Sequence, residues 1–229
     1  MRIRNALAGG AAAALLAATG YGATTWYRYG RGGRRGSGDE PLDRFMPRFD
    51  VRERHEATVR APATVTYAAA RELDFHRSPL VSGIFRARQL LMRGRTASAS
   101  SGGLFLDEVQ ALGWRVLAEE PGRLLVMGAV TQPWLADVAF RGVAPEEFAG
   151  FAEPNYVKIA WTLGVTPTDE GRSLFRTETR AVATDPAARS RFRRYWTLVS
   201  PGIVVIRWEM LRLVKREAER RARSPAAAL

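Results

Sequence analysis

The stretch DPAARSRFRRYWTLVSPGIVVIRWEMLRLVKREAERRAR, residues 185–223, decides the fold. Asp185 followed by Pro186 reads as a helix start. The short acid satisfies free backbone amides of the first turn, and proline's fixed φ suits a position where no amide is needed. From there Phe192, Tyr195, Trp196, Val199, Ile203, Ile206, Met210 and Leu213 recur every three or four residues. That spacing lays an apolar stripe along one side of a helix. Pro201-Gly202 interrupts the stripe without shifting its phase, which predicts one long helix with a kink. A helix with an oily side this long needs a broad apolar layer to lie against.

The residues upstream supply such a layer. Val157, Ile159, Trp161, Leu163 and Val165 alternate with Lys158, Ala160 and Thr162. After a turn read at residues 166–171, Phe175, Thr177, Thr179 and Ala181 alternate with Arg176, Glu178 and Arg180. This predicts a hairpin with one dry and one wet face. Residues 51–60, VRERHEATVR, alternate as strictly: Val51, Glu53, His55, Ala57 and Val59 share one side. Two more strands, 114–119 and 123–131, flank the turn Glu120-Pro121-Gly122. Short helices are expected after Pro62, from Ser78-Pro79 to about Met92, over 104–112, and from Ala144 to near Phe151. Residues 28–48, RYGRGGRRGSGDEPLDRFMPR, read as a linker, because glycine, arginine and proline build no core. The expected organisation is an N-terminal segment 1–27, the linker 28–48, a domain 49–223 and a tail 224–229.

Three segments, RERHEATVRAPATVTYAAARELD (52–74), LAEEPGRLLVMG (117–128) and RFRRYWTLVSPGIVVIRWEMLRLVKREAERR (191–221), together with the order of elements, resemble bacterial members of the START/Bet v 1-like superfamily. That superfamily is also called SRPBCC or polyketide-cyclase-like, and the resemblance covers about residues 49–222. It implies an α+β helix-grip fold, a curved antiparallel sheet wrapped around a long C-terminal helix, preceded here by an N-terminal hydrophobic segment. It also implies an elongated cavity between sheet and helix, which in relatives takes sterols, lipids, polyketides or other apolar molecules. A few members catalyse cyclisation or hydrolysis there. No catalytic residue is common to the superfamily, so none is carried over.

Candidate site residues come from the strand alternation. If Val51, Ala57 and Val59 face the core, Glu53 and His55 face it too, and ionisable groups on a dry face are costly unless satisfied. Two positions apart, they could orient a polar ligand group or serve as acid and base; the alternative is a wetted mouth or an arginine partner. Trp161, Phe175, Thr177, Tyr195, Trp196 and Val199 are candidates to line a pocket between sheet and helix, the alternative being that the aromatics are core. There is no glycine-rich nucleotide loop, no HExxH and no GxSxG. With two histidines and no cysteine, a His/Cys metal site is not expected, nor is a cofactor.

Charge is unevenly spread. Of a formal net +12, residues 1–35 carry +6 and residues 189–223 carry +8, leaving residues 36–188 at −2. Asn5 to Tyr27 is an uncharged run long enough to cross a bilayer, though it is mostly Ala, Gly and Thr. Trp26, Tyr27 and Tyr29 then stand among Arg28, Arg31, Arg34 and Arg35, the mixture a membrane–water boundary favours. The expectation is a single-pass anchor with the domain on the cytoplasmic side; the alternative is export after signal cleavage. Arg28, Arg31, Arg34, Arg35, Arg212, Lys215 and Arg216 are the residues expected to face an anionic membrane surface. A nucleic-acid partner is disfavoured, since no recognition motif accompanies the charge. The preferred function is therefore membrane-tethered binding or carriage of an apolar small molecule. A cyclase- or aromatase-type enzyme using Glu53 and His55 is the first alternative, and a nucleic-acid-binding module the second.

Overall fold

The alternation read at 157–183 forms the middle of one six-stranded antiparallel sheet in the computed structural model, which describes residues 34–36, 41–73, 105–169 and 171–224, with Gly20, Thr24 and Gly83 besides. The strands are β1 (Arg34–Arg35), β2 (Arg48–Phe49), β3 (Val51–Val59), β4 (Arg115–Glu120), β5 (Leu124–Thr131), β6 (Phe140–Arg141), β7 (Val157–Asp169) and β8 (Arg172–Ala183). The helices are α1 (Ala63–Arg71), α2 (Phe105–Ala111), α3 (Pro145–Phe148) and α4 (Pro186–Arg223). The sheet order is β3-β8-β7-β5-β4, with β6 beside β5, while β1 and β2 pair separately. With the sheet curved against α4, this is the expected α+β helix-grip arrangement.

β7 runs further than its composition suggests. The turn expected at 166–171 is largely strand, because the ladder continues through Thr166↔Leu174 and Pro167↔Ser173. The chain reverses at Gly171, whose φ of 78° falls where only glycine sits without strain. α4 starts as read: Asp185 Oδ1 accepts from the Ala188 amide at 2.8 Å, with Pro186 next. It then continues as one helix through Pro201.

The concave face of the sheet, toward α4, buries two apolar clusters. One gathers Val59, Tyr67, Met127, Leu163, Phe175, Met210 and Val214, where α1 and the C-terminal half of α4 meet the strands. The other gathers Val51, Val157, Ala181, Phe192 and Trp196 around the N-terminal half of α4.

The opposite, convex face corrects two expectations. It is wet only toward Arg54, Glu56, Thr58 and Arg176, while Lys158, Thr162, Glu178 and Arg180 are buried, and residues 41–48 are not linker. Leu42, Phe45, Met46 and Phe49 are almost wholly buried there against Val126, Val130, Phe148 and Ala160. The apolar residues of this strap sit one helical turn apart, and the Met46 amide donates to the Leu42 carbonyl at 2.7 Å. α3 completes the cover. A Cβ at Gly128 would come within 2.8 Å of the Phe148 ring and 2.5 Å of Leu117, so β5 needs glycine where it passes beneath. The packed body therefore includes residues 41–48, ahead of the expected boundary at 49.

The helix expected from Ser78 to Met92 lies outside the described residues apart from Gly83, as does the anchor expected at 1–27 apart from Gly20 and Thr24. No helix among the described residues is long and apolar enough to cross a membrane.

Candidate functional site

The pairing of β3 with β8 sets Glu53 opposite Thr179 and His55 opposite Thr177. On the far side of β8, Trp161 and Leu163 of β7 stand opposite the same two threonines. Two rows thus cross the concave face, each running from an ionisable group through a hydroxyl to a large apolar residue. α4 lies over them. Its inward positions include Phe192, Trp196, Ser200, Met210, Val214 and Ala218, all buried. In phase between Ser200 and Met210 comes Arg207, half-buried.

Arg207 meets the threonines. Its Nη1 donates to Thr177 Oγ1 at 2.9 Å and its Nη2 to Thr179 Oγ1. Burial lowers its pKa to about 10, opposed by the charge of Glu53, so the guanidinium is cationic at neutral pH. His55 Nε2 lies 3.8 Å from Glu53 Oε2. That nitrogen is buried and has no hydrogen-bond partner among the described residues. Burial pushes the His55 pKa below 6.5, Glu53 pulls it up, and Arg207 pushes it down further. The resulting neutral imidazole beside a carboxylate can exchange a proton or accept a hydrogen bond from a guest. No group of three or more His, Asp or Glu suited to a metal occurs among the described residues.

The structure thus brings Glu53, His55 and Thr177 together, and adds Thr179 and Arg207. The aromatic candidates pack in the apolar clusters of the concave face. Phe175 is fully buried in the cluster that holds Val59 and Met210, and Trp161 stands edge-on to Trp114 at 6.1 Å. Trp196 is buried with its ring 5.7 Å from Phe192, on which Tyr195 stacks at 6.4 Å. Val199 is half-buried. Arg207 belongs to the strongly basic stretch 189–223, where charge alone does not single it out. Its signal was phase: it lies seven residues after Ser200 and three before Met210, on the inward side.

The basic residues expected at a membrane surface divide. Arg28 and Arg31 lie outside the described residues. Arg34 and Arg35 pair with Phe49 and Arg48 in the small ladder. Arg212 Nε binds Glu209 at 2.6 Å, and Lys215 Nζ donates to the Thr58 carbonyl at 2.6 Å, so both act within the fold. Arg216 is exposed.

A cleft of about 920 Å³ among the described residues opens on the convex side. Arg35, Arg44, Arg48, Arg123, Phe45 and Glu120 are among its walls. Beside it Arg180, fully buried, binds Glu178 Oε1 at 2.7 Å, the Met46 carbonyl at 3.0 Å and the Asp43 carboxylate.

No family model and no curated protein matches the chain. Among solved structures it is similar to protein MLL2253 from Mesorhizobium loti, at 17% identity over 74% of this chain and 98% of that one, with a TM-score of 0.33. It is also similar to the Zhui aromatase/cyclase from a Streptomyces species, at 14% identity over 78% of this chain and 99% of that one, with a TM-score of 0.28.

Proposed function

We propose that the chain binds an apolar small molecule with one polar end, between the concave face and α4. The polar end meets Arg207, Thr177, Thr179 and His55, and the apolar remainder lies along the flanking side chains. One observation carries the reading: between the sheet and α4, the buried Nε2 of His55 has no hydrogen-bond partner among the described residues. An unmet buried nitrogen costs roughly 1–3 kcal/mol, and a guest's hydroxyl or acid would remove that cost. Native mass spectrometry of the full chain, purified without stripping, tests it. An apolar species should co-purify and be lost from a folded Arg207→Met variant. Absence of any such species, or its retention by that variant, rejects the reading.

The 3.8 Å approach of Glu53 to a neutral His55 favours a second reading, cyclase- or aromatase-type proton transfer on the same guest. A His55→Gln variant that keeps the guest but no longer converts it would support this, and unchanged conversion would exclude it. Tethering at a membrane rests on the composition of residues 1–27 and on the two basic ends. Alkaline extraction of membranes containing the full chain tests the anchor, since release into the supernatant rules it out.

A further inference from the structure

The outer edge of α4 carries a second row that guest binding does not use. Arg194, Leu198, Pro201, Val205, Trp208 and Arg212 follow one another at alternating steps of four and three residues, and all are exposed. Arg216 continues the row one turn later. Leu198 is 58% exposed, Val205 41% and Trp208 66%, so the centre of this edge leaves most of its apolar surface in water. The apolar part spans about 15 Å of helix, with arginine at both ends.

The charges identify what fits. The row contains no acidic residue. A second copy laid along it, in either direction, would bring arginine against arginine, which disfavours self-pairing. A nucleic acid would use the arginines and leave Leu198 and Val205 unsatisfied. An anionic bilayer surface uses both parts. Leucine and valine enter the acyl boundary, tryptophan sits at headgroup depth, and Arg194 and Arg216 reach lipid phosphates. We propose that this edge of α4 is a docking surface for an anionic lipid leaflet, with the helix lying in the plane of the membrane.

The chain has no cysteine, so a single one can report on one position. A Val205→Cys variant of the full chain carries an environment-sensitive dye, and an Arg123→Cys variant serves as the control on the convex side. Vesicles are phosphatidylcholine alone or phosphatidylcholine with phosphatidylglycerol. The dye at 205 should shift to the blue and become shielded from iodide only with the anionic vesicles, while the dye at 123 stays accessible. Leu198→Glu combined with Trp208→Glu should weaken partitioning about tenfold or more. Arg194→Gln and Arg216→Gln should each weaken it roughly fivefold at low salt. All four positions are exposed, and unchanged melting temperatures would confirm intact folding. Several results overturn the proposal: no vesicle binding, or vesicle binding with the dye at 205 still open to iodide. A dye shift that follows protein concentration without lipid would point to a second copy. A shift with a DNA duplex but not with vesicles would point to nucleic acid.

Discussion

On the convex face of the sheet Arg180 is fully buried, and its charge is matched on every side. Glu178 Oε1 accepts its Nε at 2.7 Å, Asp43 and the Met46 carbonyl take Nη1, and the Phe49 ring lies 4.6 Å from its Cζ. Glu178 is in turn gripped by both ends of Arg52 at 3.0 Å. On the concave face Arg207 is held by two neutral hydroxyls, with Glu53 acting through space, and a buried histidine nitrogen nearby has no hydrogen-bond partner among the described residues. The first arrangement is closed, and its result is to fasten residues 41–49 to the strands. The second leaves capacity for a hydrogen bond that the described residues do not fill. Burial of charge alone therefore does not mark a site; the state of the partners does.

The contrast breaks most visibly if Arg180 is cut. Arg180→Ala strands the Asp43 carboxylate in the interior, leaves Glu178 to Arg52, and should cost about 3–5 kcal/mol in urea denaturation. A loss below about 1 kcal/mol would show that water already reaches the network. Phe45→Ala comes next. The ring is 2% exposed beneath the strap, and its removal should cost about 3 kcal/mol. A flexible linker would instead put the change within about 0.5 kcal/mol. Arg207→Met should be milder. It leaves two hydroxyls without a donor and takes a nearby cation from Glu53, and should cost about 1–2 kcal/mol in the same assay while guest retention falls. If it matched Arg180→Ala, the two faces would be energetically alike and the concave arginine would be structural.

The elements were largely readable because each rests on a local period. Strict alternation fixed β3, β7 and β8, and the Asp185-Pro186 start with its three-to-four spacing fixed α4. The strap is masked by composition, because arginine, glycine and proline dominate residues 28–48. Phe45 and Met46 stand one helical turn after Leu42 inside LDRFM, but their partners, Val126 and Ala160 among them, are eighty or more residues away. The same distance hid the buried role of Arg180. In a strand, alternation says which residues share a side, and it does not say whether another layer covers that side. The site was half readable. β3 placed Glu53 and His55 together, but Arg207 stands among the many basic residues of 189–223, and only the inward phase of α4 marks it.

A smaller effect sharpens the comparison through pH. The two groups bearing on the His55 charge are Glu53 on β3 and Arg207 on α4, and burial outweighs both in holding its pKa under 6.5. The unfolded chain takes up this proton near 6.5, while the folded chain resists until lower pH. Between the two values the unfolded state binds more protons, so stability rises with pH across that window. The contribution is complete above 6.5 and lost as pH falls through the folded value. Urea midpoints followed from neutral to mildly acidic pH should decline in the wild type, and this part of the decline should vanish in His55→Gln. The described convex face carries no histidine and should add nothing in that window. An anionic guest beside Arg207 would favour the protonated imidazole and raise the folded pKa. The guest-loaded chain should then resist mild acid better than the empty one, which links the histidine to the occupant and not merely to the core.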